Sequence, residues 1–418
     1  MRENLVIVSY WLRTSMLVLV LLSLGFLAIS GESNEGPLAL VGATVYTSPT
    51  ATPLSDAVVL CFAGKITTLG KRGEVKIPKE AQVLDCKGKT IVAGFWNSHV
   101  HFTDAAWNDA ANAPAALLEE QMKKMLTRWG FTTVWDLGSE PGNSFALRRR
   151  VESWEIPGPK IFLAGDIFPK NGHPVYLPPE MQLPEAATPE EAAQMARDDL
   201  KMGHDGIKLF TGAFMGAKPV VNMDPAIVKA AVDVAHAQGM PVFAHPQNQA
   251  GIDNAIAGGV DVLAHTIPNP NFQYTNEELG RFKSQHTALI PTLTLWTTIL
   301  QDPTATARIV QSGVEQLKRF SSNGGPVLFG TDAGFMTIYD TSQEVEFMRR
   351  ALPTNEVLAS LTTNPAAYFK VASKGRVEKG FDADLVVLDD DPASDVRNLA
   401  KVVYTIRAGQ IIYKKQGE

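Results

Sequence analysis

The sequence predicts an α/β protein, a parallel (β/α)8 barrel carrying a small β-sandwich made from both chain ends. Three observations carry that prediction. Eight short apolar runs recur through the middle of the chain. Amphipathic or alanine-rich stretches of helical length lie between them, which is the pattern of a parallel sheet wrapped by helices. Blocks of short strands with Gly-containing turns flank this repeat on either side.

Residues 1–30 stand apart from both. Arg2 and Arg13 precede an apolar segment that runs from Met16 to Ile29. That run is shorter than the roughly 20 residues a spanning helix needs. With the small residues around Ala28 and Ser30 it reads as a signal peptide, implying a periplasmic or secreted protein. An uncleaved anchor over residues 4–29 is the alternative, and it would be the one route to a membrane. Residues 38–90 then read as strands ("LALVGATVYT", "AVVLCFAGKITTLG", "QVLDCKGKTIV"), and so do residues 370–415 ("GRVEKGFDADLVVLDDD", "VVYTIRAGQIIYKK"). The economical arrangement is one composite β-sandwich domain. Cys61 and Cys86 end apolar runs in it. Neither has C-x-x-C spacing or a nearby histidine, so neither suits zinc or redox exchange. Buried thiols are expected ahead of the single disulfide that export would permit.

Residues 91–369 hold the repeat. Its eight runs are "IVAGFWNSH", "TTVWDLG", "KIFLAGD", "GIKLF", "PVFAH", "DVLAH", "ALIPTLTLW" and "PVLFGTDAG". Stretches such as "APAALLEEQMKKMLTRWG", "TPEEAAQMARDDLKMG", "PAIVKAAVDVAHAQGM" and "QAGIDNAIAGGV" supply helices between them. Eight strands alternating with helices make a TIM barrel, whose active site lies at the C-terminal ends of the strands. A hydrophobic content of 45% with 20% charged residues supports a core of that size. A net charge of -6 with no run of like charges argues against a nucleic-acid partner, which needs a basic patch.

Barrel geometry sorts the polar residues. Strand residues two apart point the same way, so His99 and His101 in "NSHVHF" project together from the end of the first strand. Lys208 lies on the fourth strand, His245 closes the fifth, His265 closes the sixth, and Asp332 follows the eighth. All six fall at the catalytic end. Four imidazoles and a carboxylate suit zinc or a similar divalent ion, and five ligands exceed what one tetrahedral ion takes, which points to two ions. Lys208 can form a salt bridge to Asp332, act as a desolvated lysine, or carry carbon dioxide as a carbamate; the residues alone leave these open. His204, His236 and His286 fall elsewhere and read as structural. His173, in the loop after the third strand, is a candidate catalytic residue and substrate contact. Asp136, closing "TTVWD", is a candidate orienting group for a ligand imidazole.

This order of residues resembles the binuclear metal-dependent amidohydrolase superfamily. The framing "GKTIVAGFWNSHVH" and the tail "NPAAYF…GRVEKGFDADLVVLD" are similar to its imidazolonepropionase-like and prolidase-like branch. The resemblance implies that His99, His101 and Asp332 bind one metal, and that His245 and His265 bind the other. It implies that a carboxylated Lys208 bridges them, with a hydroxide between the ions and Asp332 moving its proton to the leaving group. Related prolidases often carry a glycine-rich "GGHG" loop after the third strand; here the loop is "KNGHPVY".

The implied reaction is hydrolysis of a C–N bond in an amide, lactam or dipeptide. Lys170 and Lys218, on the loops after the strands, are the cations that could meet a substrate carboxylate, with Arg148 further off. Trp296 and Tyr339 stand for the more numerous aromatic residues of these loops, which favour a bulky apolar substrate. An Xaa-Pro dipeptidase, a deaminase or phosphotriesterase on the same barrel, and a non-catalytic binding barrel are the alternatives. Homo-oligomerisation is left open by the sequence.

Overall fold

The computed structural model describes residues 36–417. The leader or anchor expected over residues 1–30 lies outside the described residues, and no described helix is long and apolar enough to cross a membrane. Both ends of the described chain build one largely antiparallel sheet. Its strands run in the order Gln410–Lys414, Val402–Arg407, Leu385–Leu388, Thr90–Ala93, Leu38–Val45, Leu54–Phe62 and Lys65–Lys71. Leu38–Val45 shares one of its edges between two partners. Its first half pairs with Gln82–Asp85 and its last two residues pair with Thr90–Ala93. Cys61 and Cys86 are both buried in this layer and are not bonded to each other.

The sheet runs straight into the barrel. Thr90–Ala93 is followed by Gly94 and then by the first barrel strand, Phe95–Val100. Gly94 is needed for close approach: a Cβ there would lie 2.2 Å from Thr132 Oγ1. Its amide donates to the Asp384 carbonyl, so both chain ends hold the point where sheet becomes barrel.

Seven barrel strands pair in chain order: Phe95–Val100, Phe131–Asp136, Lys160–Pro169, Gly206–Leu209, Val242–Ala244, Val262–Ala264 and Ala288–Ile290. The eighth run, residues 326–334, is not a regular strand, although it closes the ring. It bridges the seventh strand at Leu289 and Val327 and the first at Val100 and Ala333. The irregularity has a local cause. Asp332 has a left-handed backbone (φ 60), and Gly330 and Gly334 flank it.

Helix ends follow local chemistry. Pro189–Met202 starts with the Thr188 hydroxyl accepting from the Glu191 amide, has Pro189 in its first turn, and stops at left-handed Gly203. Inside the barrel, Trp96, Trp135, Phe162 and Phe243 pack with Phe369; the Trp135 ring lies 5.0 Å from each of Phe162, Phe243 and Phe369. Along the chain Trp96, Trp135, Phe162 and Phe243 precede His99, Asp136, Asp166 and His245, respectively. The four aromatic residues fill the barrel beneath those polar residues and keep water out from below.

Candidate metal centre

Three ligand-type residues converge where the first strand meets the eighth run. Ligand atoms of His99, His101 and Asp332 all lie within 4.8 Å of one another. His99 Nε2 and His101 Nε2 are 3.2 Å apart, and they stand 3.3 and 3.1 Å from Asp332 Oδ1. The His101 ring is oriented from behind, where Nδ1 donates to the Gly138 carbonyl at 2.6 Å. That hydrogen bond leaves Nε2 with its lone pair aimed at the centre. Asp332 Oδ1 is buried, faces both Nε2 atoms and has no hydrogen-bond partner. An unpartnered buried acceptor is costly, and a cation between it and the two Nε2 lone pairs would satisfy all three. The residues therefore fit a divalent ion.

His265 and His245 extend the cluster. His265 Nε2 lies 4.0 Å from Asp332 Oδ2, and its Nδ1 is 2.7 Å from Thr292 Oγ1. The ring centroid of His265 is 4.6 Å from that of His99 and 4.8 Å from that of His245. His245 stacks on Phe210, which stacks on Phe168. His245 Nε2 also meets Gln247 Oε1 at 3.2 Å. Burial, then the nearby Lys208 charge, lowers the pKa of His99 far below the usual histidine range and that of His245 to about 4. Burial lowers His265 in the same direction. These three are neutral near pH 7, the form that binds metal. Burial pulls the His101 pKa down, but the hydrogen bond and charge of Asp332 beside it outweigh burial and raise it. Burial pushes the Asp332 carboxyl up, yet the imidazoles of His101 and His265 and the Lys208 ammonium bring it to about 2.

Lys208 is 1% exposed on the fourth strand, in register with Asp166 on the third. Its ammonium sits 5.5 Å from the Phe210 ring centroid. No carboxylate is in ion-pair range of it among the described residues, so the salt bridge to Asp332 does not form. Burial lowers it to about 8, against the opposing pull of Asp332 and Asp166.

Backbone strain gathers here too. His265 (φ 85), Thr292 (φ 43) and Asp332 (φ 60) all have left-handed backbones, which side chains of this kind seldom adopt.

The remaining sequence candidates fall as follows. His173 lies in its loop between the Pro174 and Met181 carbonyls, at 3.2 Å from each. Lys170 is ion-paired with Glu185 at the base of that loop. Lys218 is exposed on the loop after the fourth strand. Trp296 is buried beside His265, its indole donating to Thr266 Oγ1. Tyr339 is buried among core residues and accepts from Gln121. Asp136 does not orient a ligand imidazole directly. Its two oxygens accept from Ser139 and Ser144, and so brace the turn whose Gly138 carbonyl does that work. His204, His236 and His286 serve the scaffold: His204 meets the Asp199 carbonyl, His236 donates to Asp261, and left-handed His286 caps Asn276–Gln285.

Three further groups stand near the centre, of which only Tyr176 is among the loop aromatics the sequence offers. Asp166 sits beside Lys208, and burial raises it to about 6. Thr292 orients His265. Tyr176 reaches from the third-strand loop to pack edge-on against Phe335, three residues after Asp332. For Asp166 the ending of "KIFLAGD", a carboxylate at a strand terminus, is the available cue, and for Thr292 there is none.

A closed parallel barrel with a histidine–carboxylate cluster at the C-terminal ends of its strands defines a metal-site barrel of the hydrolase type. The Amidohydrolase family model matches residues 90–412, and the chain belongs to that family of hydrolases acting on carbon–nitrogen bonds. Solved structures agree in fold. A Bifidobacterium longum protein provisionally named a prolidase is 26% identical, with a TM-score of 0.77 over 91% of this chain and 95% of its own. A Xaa-Pro dipeptidase with bound methionine in its active site is 22% identical, with a TM-score of 0.76 over 91% and 100%. The A. niger ochratoxinase is 18% identical, with a TM-score of 0.70 over 91% and 96%. In sequence, the N-substituted formamide deformylase of Arthrobacter pascens is 34% identical over 92 residues; the match spans 21% of this chain and 17% of the deformylase.

Proposed function

We propose that this protein is a metal-dependent amidohydrolase that cleaves the C–N bond of a largely apolar amide, lactam or dipeptide. The observation that carries the reading is the convergence of His99, His101 and Asp332 on one point, where the buried Asp332 Oδ1 lacks a hydrogen-bond partner. His99, His101 and Asp332 would hold one divalent ion, His245 and His265 a second, and Lys208, as its carbamate, would join them. Zinc suits these ligands. Bound ions of this kind supply a water activated near neutral pH and polarise the scissile carbonyl.

The chain's own groups do the rest. Asp332 Oδ1 faces His99 and His101, which leaves Oδ2 to take a proton and return it to the departing nitrogen. Lys208, lowered to about 8, has a larger neutral fraction near physiological pH than an ordinary lysine, and the neutral amine is the form that adds to carbon dioxide with loss of a proton. The aromatic plug below the site excludes bulk water from that side.

The rim supports an apolar substrate. Met181, Tyr176, Phe214, Ile299, Phe335 and Ile338 are exposed; Ile299 ends the short helix Leu295–Ile299, the others lie in loops, and all follow barrel strands. Lys170 is engaged with Glu185, so a dipeptide carboxylate would fall to Lys218. The dipeptidase version therefore predicts that Lys218→Ala raises KM for dipeptides and not for neutral amides.

The test is a hydrolysis screen with the zinc-loaded protein in bicarbonate. Amine release is measured from dipeptides, N-acyl amino acids, aryl amides and lactams, with Lys208→Ala as control. Cleavage of one class, lost in the control, is the expected result. Two ions bound per chain with no amine released would replace C–N hydrolysis by ester, phosphotriester or deaminating chemistry. No bound ion would overturn the catalytic reading. Export of the protein, proposed from residues 1–30, is checked by cell fractionation; a cytoplasmic pool alone would refute it.

A further inference from the structure

Glu344 is a buried acid that the proposed chemistry does not use. It lies in the first turn of the helix Ser342–Ala351 and is 1% exposed. No cation pairs with it among the described residues. Its charge is answered by three donors on the loop after the seventh strand. Oε1 accepts from the Leu293 amide at 2.9 Å, and Oε2 accepts from the Thr294 amide and the Thr294 hydroxyl, both at 2.7 Å. Burial still pushes the carboxyl up to about 7 against those hydrogen bonds.

The clamped amides directly follow Thr292. That residue is β-branched and left-handed (φ 43), a conformation it keeps only if its surroundings impose it. Its hydroxyl lies 2.7 Å from His265 Nδ1. His265 is left-handed as well (φ 85) and is tied by its own amide to the Ile290 carbonyl. Thr292 Oγ1 can accept the Nδ1 proton, which turns the lone pair of Nε2 toward Asp332 Oδ2. Thr294, held twice by Glu344, begins the short helix Leu295–Ile299, whose Trp296 donates to Thr266 beside His265. Both paths from Glu344 end on the same imidazole.

We propose that Glu344 is a positioning residue: it clamps the backbone after Thr292 and so fixes the hydroxyl that orients His265. The inference rests on the reading of His265 as a metal ligand.

The experiment titrates the full protein with Co2+, measuring cobalt bound per chain and the visible absorption of the bound ion. Variants are Glu344→Gln, Thr292→Val and Thr292→Ser, with thermal melting as the folding control. Glu344→Gln places an amide N–H against one of the donors, and Thr292→Val removes the acceptor at nearly constant shape. Both should weaken cobalt binding at the His265 position by about 10–100-fold and alter its absorption bands. Thr292→Ser should restore both. Wild-type affinity and spectrum in folded Thr292→Val would overturn the inference, whether or not Glu344→Gln folds. Cobalt weakened by Glu344→Gln alone would also overturn it, since Glu344 would then act without Thr292. If the wild type binds no cobalt, the metal reading fails and takes this inference with it.

Discussion

Gly334→Ala should damage the metal centre without touching a ligand. The added Cβ would lie 1.7 Å from the His101 carbonyl oxygen and 2.6 Å from its carbon. Both atoms are backbone, so no side chain can swing away. Relief requires the eighth run and the first strand to part by more than about 1 Å, since Cβ contacts below 3.0 Å essentially never occur. The amide of His101 donates to Ala333 at 2.7 Å and that of Asp332 to His99 at 2.9 Å, so the separation strains both bonds. Losing them costs about 1 kcal/mol each, and the left-handed backbone (φ 103) adds about 1–2 kcal/mol for an L-residue. A total loss of about 3–4 kcal/mol is expected. The partners driven apart also carry His101 and Asp332, now 3.1 Å from each other. A displacement of about 1 Å in a reacting geometry costs about 100-fold in turnover. Urea denaturation, metal analysis and turnover measure the three consequences. Gly73→Ala is the control, because Gly73 shares the backbone (φ 91) but has nothing within 4 Å of the new Cβ. The reasoning is refuted if Gly334→Ala loses no more stability than Gly73→Ala and retains its metal.

Asp332→Asn should lower turnover at least about 100-fold, since Asn cannot take up the proton assigned to Oδ2; more than a tenth of wild-type activity would argue against that role. His236 donates to Asp261, which raises its pKa, so its stabilisation is complete below about pH 6.5 and fades as pH rises through the folded value. The pair is well exposed, so His236→Gln should cost at most about 1 kcal/mol at pH 5.5 and less at pH 8.5; an equal cost at both values would show that the charge is irrelevant. Cys61 is buried and pushed up to about 12, so iodoacetamide at pH 8 should modify it only after unfolding, as read by peptide mass mapping. Modification of the folded protein at the rate of a free thiol would contradict that burial.

The histidines and the aspartate were legible because their signal is short-range. Period-two geometry places His99 and His101 side by side, and the position of each remaining residue at a strand end puts it on one rim. The composite sheet was legible from its alternating runs and turns. The eighth run was harder. A regular strand was the natural expectation for "PVLFGTDAG", but the backbone at Asp332 and its flanking glycines trades ladder regularity for closeness to His101. Asp136 was misread because a carboxylate at a strand end looks like a partner for imidazole; the actual partner is the Gly138 carbonyl, and backbone carbonyls leave no mark in composition. Glu344 and Thr292 were invisible for a related reason. They are brought together across about fifty residues by tertiary packing, and "TSQEVEF" alone looks like any amphipathic helix start.

The sheet made from both chain ends also imposes an order of assembly. Thr90–Ala93, which leads through Gly94 into the strand bearing His99 and His101, pairs along one edge with Leu385–Leu388. During synthesis that edge must wait, unpaired, until almost the entire chain has been made. Contacts this distant in sequence slow folding, and an open apolar edge invites pairing with other nascent chains. A protein cut short before Leu385 would thus forfeit more than a peripheral layer: the support of its metal-bearing strand would be missing, and a growing chain would depend on assistance until its final strands emerge.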